Sequence, residues 1–177
     1  MKKQIILVNG IPASGKSQVA KAVSTDLSLP IFTLDAVKEP FFEHFGVGDR
    51  EYNRRLGRAS YQAIFNVLAD FPKGTTSVID AWFGFQPLEV LERHIKHAEI
   101  DNVVEVWCQA RPDVVAARYA QRVGNRPVGH PDLEYVPELI ELAKRAMPLG
   151  CFKRLDLDTN SPVDIASVLA WITAETS

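Results

Sequence analysis

Short apolar runs alternate with amphipathic stretches along this chain, and the alternation predicts strands and helices in turn. Residues 4–8 are apolar on both faces, as in a central strand of a parallel sheet covered by helices on both sides. Over residues 16–27, Val19, Ala20, Ala22, Val23 and Leu27 fall at helical spacing. Ile31, Phe32 and Leu34 predict a short second strand closed by Asp35. A helical stretch follows, from 37 to 70, divided by Gly46-Val47-Gly48 so that its second helix runs over 49–70. After the turn at Gly74 come a third strand over 77–79 ending in Asp80, a fourth over 103–108 and a helix beyond Arg111-Pro112. A helix over 136–147 stopped by Pro148 and Gly150, a strand over 153–157 and a helix over 162–174 complete the pattern. Repeated strand–helix units of this kind predict an α/β fold, a three-layer α/β/α domain with a five-stranded parallel sheet.

Composition narrows this only slightly. A chain of 177 residues with 46% hydrophobic and 24% charged residues suits one domain, residues 1–177. The net charge of −2 and pI near 6.1 provide no basic field, which weighs against a nucleic-acid partner and favours a small one. Cys108 and Cys151 are too few for a disulfide framework, and no leader or long uncharged apolar run is present. The expectation is a cytoplasmic protein without a membrane segment, a monomer or weak homo-oligomer.

The chemistry centres on Gly10-Ile11-Pro12-Ala13-Ser14-Gly15-Lys16-Ser17, a full match to the phosphate-binding loop, between an apolar strand and a helix where that loop belongs. This makes the domain a P-loop NTPase fold. Backbone N–H groups from Gly10 through Ala13, Ser14, Gly15, Lys16, Ser17 and Gln18 are expected to cradle the phosphates of ATP. Lys16 would bridge the outer phosphates and the Ser17 hydroxyl would hold Mg²⁺. Asp35, at the carboxyl end of the second strand, is a candidate base for an attacking hydroxyl; the alternative is a helix N-cap. Asp80 closes the third strand as a Walker B aspartate would, a second candidate for Mg²⁺, with helix capping as its alternative. Arg118 and Arg122 share a helix face and Arg126 lies in the Gly- and Pro-containing loop beyond. They predict a helical lid over 118–132, with Arg122 and Arg126 catalytic and Arg118 on the nucleotide. Thr159 and Asn160, after the fifth strand, are candidates to contact the base, though turn chemistry explains them almost as well. Arg50, Arg54 and Arg58 read mostly as a solvated helix face. Phe41, Phe42 and Phe45 read as core more than pocket, and Trp82, Phe83 and Phe85 as acceptor wall or core equally. His94 and His97 are one turn apart without further ligands, so no metal beyond Mg²⁺ is assigned.

Residues 5–10 leading into the loop, Asp35, Gly57 and Tyr61, Val78-Ile79-Asp80-Ala81 and the three arginines together resemble the P-loop small-molecule kinases. The likeness is greatest to the chloramphenicol phosphotransferase-like group, with zeta toxins and polynucleotide kinases as broader relatives. The resemblance implies an ATP:hydroxyl phosphotransferase with Asp35 as base, the arginines as lid and an acceptor-binding helical insert over 36–70. Thr33 departs from the shikimate kinase pattern, which has an acid two residues before the aspartate, so the Mg²⁺ ligand set stays open. The alternatives are a polynucleotide 5′-hydroxyl kinase and a non-catalytic ATP-binding regulatory module.

Overall fold

Strand β1 (Gln4–Asn9) is wholly buried and lies at the middle of a parallel sheet of order β2-β3-β1-β4-β5, in the computed structural model, which describes residues 1–177. Its neighbours are β3 (Thr76–Ala81) and β4 (Asn102–Gln109), and β2 (Ile31–Thr33) and β5 (Lys153–Asp158) form the edges. In register, Val8 pairs with both Asp80 and Val106. The chain crosses to one side of β1 for β2 and β3 and to the other for β4 and β5, which opens a crevice beyond the carboxyl end of β1.

Side-chain alternation along β1 divides the core. Ile6 and Val8 face α1 (Lys16–Asp26) and α7 (Ile165–Thr176), meeting Val19, Val23, Val168 and Ile172. Ile5 and Leu7 face α3 (Arg50–Ala69) and α4 (Leu88–His97), meeting Tyr61, Ile64, Phe65 and Leu91. A third, smaller core joins Ile11 and Ala13 of the phosphate loop to Val115 and Tyr119 of α5 (Pro112–Val123) and to Leu139 and Leu142 of α6 (Val136–Arg145). The loop is thus packed from below by the segment that carries the arginines. No helix is long and apolar enough to cross a membrane.

The five-stranded parallel α/β/α architecture is as expected; some boundaries differ. Strand β2 ends at Thr33 and α2 (Leu34–Phe45) begins at once, with Thr33 as its N-cap. Asp35 therefore sits in the first turn of a helix, where it complements the dipole, and is neither a strand terminus nor the cap. Strand β3 is longer than its weak apolar run suggested and takes in Asp80. The last helix starts only at Ile165, because the Asp164 carboxylate caps it by accepting from the Ser167 N–H at 3.3 Å. The ring of His94 stacks on Phe65, centroids 5.2 Å apart.

Candidate active site

The phosphate loop has the backbone its glycines allow. Gly15 (φ 87°) is the N-cap of α1, no side chain caps that helix end, and Ala13 also takes a left-handed conformation (φ 64°). Gly10 is required by space: a Cβ there would lie 2.4 Å from Ser14 Oγ and 2.5 Å from the Cys108 carbonyl. A bare helix N-terminus beneath a tightly wound loop is a site for the phosphates of a nucleotide.

Two buried polar groups hold this cradle. Thr159 is 4% exposed, and its hydroxyl lies 2.6 Å from the Ser14 carbonyl and 2.9 Å from that of Gln109. Its position is behind the loop, so its side chain serves as a clamp, a different place from the base contact considered for it. Arg118 donates to the Thr159 carbonyl at 2.6 Å and fastens the same clamp to α5. Asn160 accepts from the Arg111 N–H at 2.8 Å, tying the loop after β5 to the one after β4, and its own N–H donates to Asp158 Oδ1 at 2.8 Å in a local turn. On the other side, Asn9 donates to the fully buried Glu105 carboxylate at 2.7 Å and accepts from the Phe83 N–H at 3.0 Å. Sequence reasoning missed this pair; its signal was a glutamate inside the apolar run 103–108. Burial pushes the Glu105 carboxyl up, against hydrogen bonds from Asn9 and the Leu149 N–H.

Asp80 is 5% exposed and its Oδ1 has no hydrogen-bond partner. Burial raises its pKa, although Lys16, the Ser17 hydroxyl and Arg122 pull the other way. An orphaned carboxylate oxygen beside a hydroxyl is a hard oxygen donor set that fits Mg²⁺. Arg122 is exposed, and its charge reaches Asp80.

Asp35 is the focus of a second group. Arg126 in the loop after α5 donates to Asp35 Oδ2 at 3.0 Å, and Lys38, one turn along α2, places Nζ 3.9 Å from Oδ1. Partial burial pushes the Asp35 carboxyl up, but the charges of Lys38, Arg126, His130 and Lys16 together outweigh it and leave it below the usual carboxylate value. The same loop is docked on the helical insert. His130 lies 2.8 Å from Glu39 and edge-on to Phe42, and Tyr119 donates to the Pro131 carbonyl at 2.7 Å. Asn53 of α3 also donates to the Gly129 carbonyl. Burial and Arg126 hold the His130 imidazole below its ordinary value, although Asp35 and Glu39 pull the other way.

The remaining candidates divide. Arg50 pairs with Glu138 and Arg58 with Glu51, both exposed, which matches a solvated face. Phe42 is buried whereas Phe45 is 71% exposed. Phe83 and Phe85 pack on Tyr61, whose hydroxyl donates to the Trp82 carbonyl at 2.6 Å.

Structural comparison places this geometry. A candidate kinase from Chloroflexus aurantiacus superposes with a TM-score of 0.84 at 28% identity, covering 99% of each chain. The fold is that of the P-loop kinases. A shikimate kinase from Bacteroides thetaiotaomicron (TM-score 0.59, 20% identity, 98% of each chain) shares it. So does a gluconokinase from Sinorhizobium meliloti (TM-score 0.59, 19% identity, 98% of this chain and 91% of the other). No family model matches the sequence of this P-loop kinase fold, and no curated protein does.

Proposed function

We propose that the chain transfers the γ-phosphate of ATP to a hydroxyl of a small molecule. The observation that carries this reading is Asp35 met by Arg126 of the loop after α5 at 3.0 Å and by Lys38 at 3.9 Å, with the charge of Lys16 also acting on it. In the proposed reaction the acceptor O–H gives its proton to the Asp35 carboxylate as its oxygen bonds to the γ-phosphorus. The bond from that phosphorus to the β–γ bridging oxygen breaks, and ADP leaves with the electron pair. Lys16, Arg122 and Arg126 stabilise charge on the transferring group. Ser17 and Asp80 would hold Mg²⁺, which when bound neutralises phosphate charge. Arg118 and Thr159 contribute by holding the loop that binds ATP.

The structural neighbours called shikimate kinase and gluconokinase support a small hydroxyl compound as acceptor. The resemblance of the sequence motifs to the chloramphenicol phosphotransferase-like group makes chloramphenicol one of the acceptors to try. The test is transfer from γ-labelled ATP with Mg²⁺ across antibiotics, sugars and nucleosides, with a 5′-hydroxyl oligonucleotide alongside. Label on a small molecule, lost in Asp35→Asn, is the expected result. Label on the oligonucleotide alone would make this a polynucleotide kinase, and ATP binding without transfer would make it a regulatory module.

A further inference from the structure

We infer that Lys38 is a positioning residue for this reaction, keeping the Asp35 carboxylate ionised after Arg126 has left it for the phosphates. The inference rests on the reading of Asp35 as the base. Both cations that touch Asp35 could hold its charge, but they differ in freedom. Arg126 belongs to an irregular loop that carries Gly124 and Gly129, whereas Lys38 is on α2 and 9% exposed. The Lys38 ammonium is fixed from a third side, donating to Asn53 Oδ1 at 3.2 Å and lying 5.5 Å from the centre of the Phe42 ring. A guanidinium drawn onto phosphate oxygens gives up its 3.0 Å contact with Asp35. What then faces the carboxylate is Lys16, itself committed to phosphate, the His130 ring, whose own pKa burial depresses, the acids Glu39 and Asp80, and the phenols of Tyr61 and Tyr119. That surrounding, with partial burial, pulls the carboxyl's pKa upward. Lys38 is the fixed cation that opposes it, placed three residues on along the same helix with its ammonium 3.9 Å from Asp35 Oδ1.

The test is titration of the Asp35 side-chain carboxyl by carbon NMR in the full chain, without nucleotide and with Mg²⁺ and the non-hydrolysable analogue AMP-PNP. Lys38→Met, which keeps the stem over Phe42, should move the midpoint to higher pH, and further with AMP-PNP than without. Lys38→Arg should restore it. Lys38→Gln, a neutral polar side chain of similar length, should move it the same way, and serves if Lys38→Met does not fold. An Asp35 midpoint unmoved by these changes, or moved equally with and without AMP-PNP, would overturn the inference. If Asp35→Asn retains phosphoryl transfer while the midpoint shifts as expected, the role of Asp35 as base fails and the electrostatic coupling stands.

Discussion

The two halves of the candidate site, the phosphate loop and the surroundings of Asp35 proposed to receive the acceptor, are held together by different physics. Around the phosphate loop the supports are dry and close: the third apolar core takes in Ile11 and Ala13, Thr159 and Arg118 clamp it from one side and the Asn9–Glu105 pair from the other. Around Asp35 the supports are ionic or polar bonds between α2, α3 and the loop after α5. Dry packing makes one arrangement much better than any other, whereas the Arg126–Asp35 pair, with a half-exposed carboxylate and an arginine on a loop, exchanges partners at little cost. A kinase needs both, a rigid cradle for phosphate and an acceptor side that opens and closes.

Activity separates the two halves most sharply. Lys16→Ala should lower phosphoryl transfer by about 10³-fold or more, and Asp35→Asn by about 10²–10⁴-fold. Only Lys16→Ala should also weaken ATP binding, as read by calorimetry. Equal loss of ATP affinity in both variants would erase the division. Next in size is Thr159→Val, which leaves the Ser14 carbonyl without its hydroxyl donor and should cost about 1–3 kcal/mol in denaturant unfolding.

Glu105→Gln tests the other clamp by its pH dependence. Burial holds the Glu105 carboxyl above its ordinary value of 4.5 in the folded chain. The stability this confers is complete below that value and is lost as pH rises through the raised one. Glutamine keeps an oxygen for Asn9 and Leu149 without the charge. It should remove that slope and raise the melting temperature at neutral pH by about 2–4 °C, the effect of about 1 kcal/mol at this chain length. The smallest effect is expected on the acceptor side. Arg50→Ala breaks an exposed pair with Glu138 and should change stability by less than about 1 kcal/mol. A larger loss would mean that the two halves are more alike than their contacts indicate.

Legibility follows the same division. The strands and helices around the loop were readable because burial on one or both faces imposes a period on the sequence, and the phosphate loop because close approach demands glycine at fixed spacing. Thr159 was found, but its position behind the loop was not, since a threonine after a strand carries no sign of which carbonyl it will meet. Lys38 went unnoticed: on a helix it reads as one more solvated lysine until Asn53 and Phe42 close over it.

The sequence by itself determined a phosphate-binding loop between a buried strand and a helix, within an α/β chain carrying Asp35, Asp80 and three arginines in order. Those features are local, encoded over a few turns or strand steps. Only the tertiary structure decided that Arg126 meets Asp35 across 91 positions of chain and that Thr159 meets Ser14 across 145. It also decided that Asp80 is left with an unpaired buried oxygen. Such polar contacts are set by how distant elements dock, and a single polar residue leaves no periodic trace of its partner.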